Sequence, residues 1–357
     1  MPSFLYLKLL FMKRRDFIRT AAIAVPAIAT ANVAIAAPKR RVTAPQKPEE
    51  PELPSLQFKN GKFKILQLTD THFIGGDARS QRALDNVAEM LDTEKPDLVI
   101  HTGDIIFAKP ARENFTQILS PITERHIPFA VALGNHDEEF GLSRTEVLEY
   151  IRQMSGCLNT PAKNIHGASN DVITINSADG KKHWALYLFD TGNRAKEFPE
   201  LKSYDYIHDD QLQWYRQISC QLKEQNQGTP LPSIAFMHIP ITEYLDGLSD
   251  SHRQIRGNLS ENPCSPIINS GAFVAMREQG DIKAVTCGHD HDDDYVMKWR
   301  GLYMMYGRYS GGDTVYNNLK PNGARIFELT EGSSSFKTWI RIKGGRIEQA
   351  MTLPDEF

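Results

Sequence analysis

Five short apolar segments of this chain each end directly in polar side chains that can bind a metal ion or carry a proton. They run into Asp70-Thr71-His72, Gly103-Asp104, Gly134-Asn135-His136-Asp137, His238 and Gly288-His289-Asp290-His291. Apolar runs of this length are typical of buried strands, and segments with helical spacing, such as 80–91, lie between several of them. Alternating strands and helices predict parallel strands joined by crossover helices. Because ligands bind at the carboxyl ends of such strands, we expect the five polar groups to meet there.

The alternation runs through most of the chain and predicts one large domain, a central sheet sandwich with helices outside. Strands are predicted at 63–69, 98–102, 129–133, 172–175, 183–189, 234–237, 283–287, 302–306, 324–329 and 336–342, and helices at 80–91, 112–125, 143–154 and 209–225. Residues 245–269 are polar and lack periodicity, so we predict a long loop there.

The residue types at the strand ends indicate a metal centre. Imidazole, carboxylate and amide oxygen suit Zn, Fe, Mn or Co better than Ca or Cu(I). Each short motif alone is more often a turn or a cap than a ligand, but the five together form a strong pattern. We interpret Asp292-Asp293-Asp294 as a solvated turn. The histidines outside the motifs are interpreted as structural or surface residues: His101, His126, His166, His183, His208 and His252.

The ordered motifs Asp-x-His, Gly-Asp-x-x-Phe, Gly-Asn-His-Asp, a single His and Gly-His-x-His resemble the calcineurin-like metallophosphoesterases. The resemblance covers Phe63 to about Leu329. Further stretches are similar to a purple-acid-phosphatase-like branch with bacterial, plant and fungal members: 134–139, 269–273, 287–291 and Tyr306-Gly307. The resemblance implies an α/β fold, a four-layer α/β/β/α sandwich of two mixed sheets flanked by helices.

This resemblance also implies two divalent or mixed-valence metal ions, Fe, Mn or Zn. The implied ligands are Asp70, His72 and His291 for one ion, Asn135, His238 and His289 for the other, and Asp104 as the bridge. The purple enzymes proper have Tyr where Phe107 stands and Gly where His72 stands. Phe107 therefore argues against a tyrosinate–iron centre, and His72 is expected to supply the missing ligand.

The implied reaction is hydrolysis of phosphate esters by metal-activated hydroxide. His136 is the candidate general acid for the leaving oxygen, with Asp137 expected to orient its imidazole. The alternative for His136 is an outer hydrogen-bond partner of the ligands. The predicted substrate contacts are Asn135, His136, His238 and Arg308.

Three functions stay open at this point. The first is an exported phosphomonoesterase, and the second is a phosphodiesterase acting on cyclic nucleotides or similar diesters. The third is a catalytically silent binding protein on the same fold. Because every implied ligand position is filled, the sequence argues against the third.

The N-terminal residues predict an export signal over 1–37, with Met12 as an alternative start. Arg14-Arg15, followed by Asp16-Phe17-Ile18 and an alanine-rich apolar run, resembles a twin-arginine signal. A membrane anchor is the alternative, but Pro26 and Asn32 interrupt the run, so no stable span is expected. Five prolines between 38 and 54 predict a linker over 38–57, followed by the domain at 58–357. A periplasmic or secreted location follows.

The net charge changes once the signal is set aside. The whole chain carries −3, but residues 1–36 hold five basic side chains and one acidic one, so the remainder carries −7. A body of that sign repels polyanions at long range, so we expect a small phosphorylated substrate and no nucleic-acid polymer. Cys157, Cys220 and Cys264 are available for pairing in an oxidising compartment, with connectivity left open.

Overall fold

The computed structural model describes residues 55–357. The predicted export signal, 1–37, and residues 38–54 of the predicted linker lie outside the described residues. The first half of the domain contains β1 (Ser55–Gln57), β2 (Lys62–Leu68), α1 (Ala78–Glu94), β3 (Leu98–His101), α2 (Ala111–Glu124), β4 (Phe129–Val131), α3 (Arg144–Ile151), β5 (Asp171–Asn176) and β6 (Lys182–Leu188). The second half contains α4 (Asp209–Gln225), β7 (Ser233–Phe236), α5 (Glu243–Ser249), β8 (Gln254–Arg256), α6 (Ala272–Gln279), β9 (Ile282–Cys287), β10 (Val296–Trp299), β11 (Leu302–Tyr306), β12 (Gly323–Thr330), β13 (Phe336–Ile342) and β14 (Ile347–Leu353).

The strands form two mixed sheets. One has the order β1-β5-β6-β7-β9-β11-β10-β8 and the other β14-β13-β12-β2-β3-β4. In the second sheet β2, β3 and β4 are parallel, and in the first β6, β7, β9 and β11 are parallel. The carboxyl ends of β2, β3, β4, β7 and β9 carry the five polar motifs, so the parallel pairing brings those motifs together within each sheet.

Apolar side chains fill three layers of core. One core lies between the two sheets and includes Ile65, Ile100, Leu186 and Phe236. A second packs α1, α2 and α3 on the outer face of the sheet containing β2, and a third packs α4 and α6 on the outer face of the other sheet. The result is the predicted four-layer α/β/β/α sandwich, and the prediction of the fold class is confirmed.

Some boundaries differ from the predictions. β1 lies inside the segment that we predicted as linker and pairs in parallel with β5, so the folded domain begins at least three residues before position 58. The predicted loop at 245–269 contains most of α5 and all of β8, because Met297 and its neighbours on β10 pair with β8.

Two further findings concern the cysteines and the helices of the domain, and neither bears on the apolar run that we predicted within residues 1–37. All four cysteines lie in the described part of the chain and are free, so no disulfide links them. Within residues 55–357, no helix combines the length and the apolar character needed to cross a membrane.

Candidate metal centre

The turn after each motif strand places its polar side chains at one buried point. Asp70 and His72 follow β2, Asp104 follows β3, and their main chains pair: the amide of Asp70 donates to the carbonyl of Gly103 (3.0 Å). The amide of His72 donates to the carbonyl of Asp104 (3.0 Å). The ligand pattern expected from the sequence is therefore fixed by backbone hydrogen bonds between neighbouring strand ends.

Two of the glycines in these motifs allow a close approach that no other residue permits. A Cβ at Gly134 would lie 2.1 Å from Oδ1 of Asp104, and one at Gly288 would lie 1.9 Å from Oγ1 of Thr69. Both contacts are far shorter than van der Waals separation, so these positions hold glycine because the ligand turns press against their backbones.

Four of the implied ligand residues have a left-handed backbone: Asp70, His72, Asp104 and His289, with φ of 54°, 40°, 52° and 78°. This conformation is uncommon for residues other than glycine and costs of the order of 1–3 kcal/mol. Such outliers cluster at functional sites, where the surrounding structure holds them in place.

One group of side chains consists of Asp70, His72 and His291. The Nε2 atoms of the two histidines lie 3.1 Å apart, and Oδ1 of Asp70 lies 3.7 Å from the first and 3.5 Å from the second. Nδ1 of His291 donates to the carbonyl of Tyr316 (2.7 Å), which leaves the lone pair on Nε2 and directs it at the group. Asp70 is turned by Thr69, whose hydroxyl donates to Oδ2 (2.6 Å).

A second group consists of Asp104, Asn135, His238 and His289. Nε2 of His238 lies 3.0 Å from Oδ1 of Asn135, 3.2 Å from Oδ2 of Asp104 and 3.2 Å from Nδ1 of His289. Nδ1 of His238 donates to the carbonyl of Thr102 (2.7 Å), so its Nε2 atom also points inward.

Asp104 connects the two groups. Its Oδ2 atom lies 3.2 Å from His238 in the second group and 3.7 Å from His72 in the first. Its Oδ1 atom accepts from the amide of His136 (2.8 Å). One carboxylate oxygen therefore faces both groups, which is the position that the resemblance implied for the bridging ligand.

The pKa values of these side chains indicate that the carboxylates of the cluster stabilise a positive charge at its centre. Burial lowers the pKa of His72 and of His289 to about 3, so both imidazoles are neutral. Burial also lowers the pKa of His238, but the charge of Asp104 outweighs it and raises the value to about 9. Burial raises the pKa of Asp104, while the charge of His238 lowers it to well below its usual range.

These residues fit two metal ions. Lone pairs from imidazole, carboxylate and amide oxygen converge in two groups, at separations near the ~3.3 Å expected between neighbouring ligands about 2.1 Å from one ion. Nε2 of His72 and Nδ1 of His289 face the two groups, and there they lie 3.1 Å and 3.2 Å from Nε2 atoms of other cluster histidines. A cation would supply the positive charge that the carboxylates otherwise draw from a protonated His238.

His136 lies beside the cluster with its imidazole 32% exposed. Its ring packs edge-on against those of His72 and Phe107, with centroids 5.7 and 5.0 Å away. Nδ1 of His136 lies 2.7 Å from Oε2 of Glu139, within a turn closed by the amide of Glu139 and the carbonyl of His136 (3.0 Å). The sequence missed this pair, although the spacing of three residues in a polar turn was a usable signal.

Asp137 does not orient His136, and that prediction is wrong. Its buried carboxylate accepts from the amides of Asp104 (3.1 Å), Ile105 (2.7 Å) and Gly134 (2.8 Å). Asp137 thereby joins the turn after β3 to the turn after β4. Its role is to hold two ligand turns together.

Arg308 is not brought to the cluster. Its guanidinium is fully buried, and it pairs with Asp294 through Nη1 (2.5 Å) and donates to the carbonyl of Pro321 (2.7 Å). No face of it is left for a substrate, which corrects the prediction of a substrate contact.

The run Asp292-Asp293-Asp294 is not a solvated turn, because all three side chains are buried. Asp292 accepts from the amide and side chain of Asn318, and Asp293 accepts from the amide of Ser260 (2.8 Å). The three carboxylates anchor neighbouring loops beside His291.

Comparison with known proteins assigns the chain to a family. A family model described as calcineurin-like phosphoesterase matches residues 63–293. The chain belongs to the calcineurin-like phosphoesterase family. It is 32% identical over 281 residues to probable inactive purple acid phosphatase 29 of Arabidopsis thaliana, covering 70% of this chain and 72% of the relative. This confirms the predicted family and the purple-acid-phosphatase-like branch.

Other matches extend the family assignment. Phosphatase DCR2 of Saccharomyces cerevisiae is 28% identical over 323 residues, which cover 80% of this chain and 54% of that relative. Among solved structures, a dimetal phosphatase from Danio rerio matches with a TM-score of 0.54 and 13% identity, over 82% of this chain and 98% of that one. At that identity the structural likeness shows the fold alone. The family assignment and the two groups of possible ligands in the structure together suggest two metal ions.

Proposed function

We propose that this calcineurin-like phosphoesterase is a binuclear-metal phosphomonoesterase. The observation that carries the proposal is Oδ2 of Asp104, which faces both His72 and His238. A shared carboxylate between two groups of nitrogen and oxygen ligands is the arrangement of two-metal phosphatases. Two ions held there polarise phosphoryl oxygens and make hydroxide available from water near neutral pH.

The chain's own groups supply the proton for the leaving oxygen. The imidazole of His136 is partly exposed, and Glu139 accepts at Nδ1, which leaves Nε2 to carry the proton toward the substrate. The same carboxylate stabilises the imidazolium, as a carboxylate partner does for a catalytic histidine in general. His136 is thus the proposed acid and Glu139 its positioning residue.

Rings around the cluster support monoesters over diesters. Phe107 meets His72 (centroids 5.2 Å), Tyr204 meets His289 (4.5 Å) and Tyr316 stacks on His291 (4.3 Å). A terminal phosphate with one ester oxygen needs less room between these rings than an internal phosphate with two. The acidic body of the chain disfavours nucleic-acid polymers and so supports a small ester as the substrate.

The deciding experiment loads the full chain with Mn, Zn or Fe, counts metals by mass spectrometry, and compares p-nitrophenyl phosphate with bis-p-nitrophenyl phosphate. We expect two metals per chain and faster turnover of the monoester. Preference for the diester would replace the proposal with a phosphodiesterase. Absence of both metal and turnover would replace it with a silent binding protein.

Replacement of His136 tests the proton donor. His136→Ala should keep both metals and lose about 10²- to 10⁴-fold in kcat on alkyl phosphates, with a smaller loss on p-nitrophenyl phosphate, whose leaving group needs no proton. Glu139→Gln should show the same dependence on the leaving group with a smaller loss. Loss of metal in His136→Ala would contradict the acid role.

We also propose export of the chain through the twin-arginine route, on the basis of Arg14-Arg15 and the apolar run that follows. Replacing both arginines by lysine should retain the full-length chain in the cytoplasm. Cell fractionation with an antibody to the domain measures this. Unchanged export in the double variant would contradict the route.

A further inference from the structure

The segment between β6 and α4 lies directly against the second ligand group. The hydroxyl of Thr191 accepts from the amide of Ile239 (3.0 Å), the residue after His238. Further along, the ring of Tyr204 meets the ring of His289 edge-on, at 4.5 Å between centroids and 89° between planes. This segment therefore forms a wall of the site at His238 and His289.

Arg194 projects from that wall. Its guanidinium carbon lies 4.2 Å from the centroid of the Tyr204 ring, and the two residues also form a β-bridge. The two ring distances place this carbon no more than about 9 Å from the centroid of His289. Stacking occupies one face of the guanidinium and leaves its N–H edges available.

Arg194 differs from the arginines buried near the cluster. Arg144 pairs with Asp190 and Arg308 with Asp294, so both have a carboxylate partner. Arg194 is exposed, and within residues 55–357 no carboxylate oxygen lies within 4.0 Å of its guanidinium. A cation that is held in place by an aromatic ring, beside a metal cluster and without a partner, is suited to an anionic group of a ligand.

The space beside Arg194 limits which anion fits. A cavity of about 230 Å³ is lined by Arg194 and Lys196 and by Glu138, the residue after Asp137. Glu197 lies on the same lining. The lining holds the acidic Glu138, Glu197 and Asp205 against the basic Arg144, Arg194 and Lys196, so its charges nearly balance and favour a singly charged group over a doubly charged one.

We propose that Arg194 binds a carboxylate on the alcohol part of the substrate, so that phosphorylated hydroxy acids are the preferred class. The inference rests on the proposed function, because the phosphate is taken to lie at the metal cluster. Arg194 contacts the part of the substrate that is not transferred and determines specificity. The planar fork of the guanidinium matches both oxygens of a carboxylate.

Binding of two phosphonates tests the inference apart from turnover, because a P–C bond is not hydrolysed. The probes are 4-phosphonobutyrate and propylphosphonate, which differ only in the terminal carboxylate, titrated calorimetrically into the metal-loaded full chain. Wild type should bind the first about tenfold more tightly. Arg194→Ala should raise its Kd about tenfold and change that of propylphosphonate by less than about twofold.

Arg300→Ala is the matched control. Arg300 is also exposed and stacks on an aromatic ring, that of Trp299 (5.0 Å), but it lies in the turn between β10 and β11, away from the motif ends of the strands. It should leave both Kd values unchanged. Equal affinity of the two probes for wild type, or an Arg194→Ala effect equal for both, would overturn the inference and leave the phosphatase proposal intact. Failure of wild type to bind either phosphonate would overturn both.

Discussion

The two halves of the candidate metal centre rest on different supports. In the half with Asn135, His238 and His289, the imidazole of His238 is oriented by the carbonyl of Thr102 (2.7 Å), immediately after β3. In the half with Asp70, His72 and His291, the imidazole of His291 is oriented by the carbonyl of Tyr316 (2.7 Å), in the long connection between β11 and β12. We name the two halves the sheet half and the loop half after the supports of these two histidines, although Asp70 and His72 of the loop half themselves follow β2.

The contrast extends to the next layer of contacts. Under the half with His238, Arg144 donates to the carbonyls of Leu133 (2.6 Å) and Gly134 (2.7 Å). Arg144 also pairs with Asp190 inside the core. Beside the other half, Asp292 accepts from Asn318 and so holds the loop of Tyr316. We expect the sheet half to fail only when the fold fails, whereas the loop half can lose the support of His291 by itself.

Replacing the residue common to both halves should have the largest effect. Asp104→Asn should lower turnover by at least about 10³-fold and reduce the content of both metals, because it removes the charge that both ions share. Metal analysis and p-nitrophenyl phosphate turnover measure this, with the exposed Asp246→Asn as control. Near-normal activity in Asp104→Asn would contradict the shared carboxylate.

Breaking the support of the sheet half should destabilise the whole domain. Asp190→Asn leaves Arg144 buried without its charge partner, so we expect a loss of about 3–5 kcal/mol in the free energy of unfolding at pH 7. Asp92→Asn, in an exposed pair with Arg125, is the control and should cost less than about 1 kcal/mol.

This loss should depend on pH. Burial raises the pKa of Asp190, but the charge of Arg144 outweighs it and lowers the value to about 2. Because that lies below the ordinary value of about 3.9, the stabilisation is complete above about pH 5 and disappears as the pH falls through 2. Denaturation curves at several pH values should show the difference from wild type shrinking in acid; a constant difference would contradict the assignment.

Breaking the support of the loop half should have a smaller and more selective effect. Asp292→Ala should lower the affinity for one of the two metals by about 10- to 100-fold and leave the affinity for the other unchanged. Tyr316→Phe keeps the carbonyl and the ring but loses the hydroxyl contact with Glu261 (3.1 Å), so its effect should be less than about threefold. Both effects are measured by counting the metals per chain after dialysis against increasing concentrations of a chelator. Loss of the two metals in parallel would contradict the distinction between the halves.

The ligand set was predictable from the sequence because it depends on local rules. Asp70, Asp104 and His238 each follow a buried strand, and parallel strands bring such positions to one edge of a sheet. The resemblance of the motifs then ordered them into two groups. The alternation of strands and helices predicted a sheet sandwich with helices outside, and the resemblance implied its four layers.

The roles that the sequence missed depend on contacts between distant segments. Arg308 after the last motif looks like a substrate contact until Asp294 is seen to pair with it. The run from Asp292 looks solvated until the loops at Ser260 and Asn318 close over it. Partner choice between distant charged side chains is not encoded in spacing along the chain, and so Arg194 also emerged only from the structure. Glu139 is different, because it lies three residues after His136 and that spacing was a usable signal.

The left-handed backbone of Asp70, His72, Asp104 and His289 limits how this centre can change over evolution or by design. Glycine, asparagine, aspartate and, to a lesser degree, histidine tolerate that conformation, whereas β-branched residues do not. Substitutions at these four positions should therefore be restricted to those few residue types. Asn135, His238 and His291 lack this constraint, and a change of metal preference is most accessible through them.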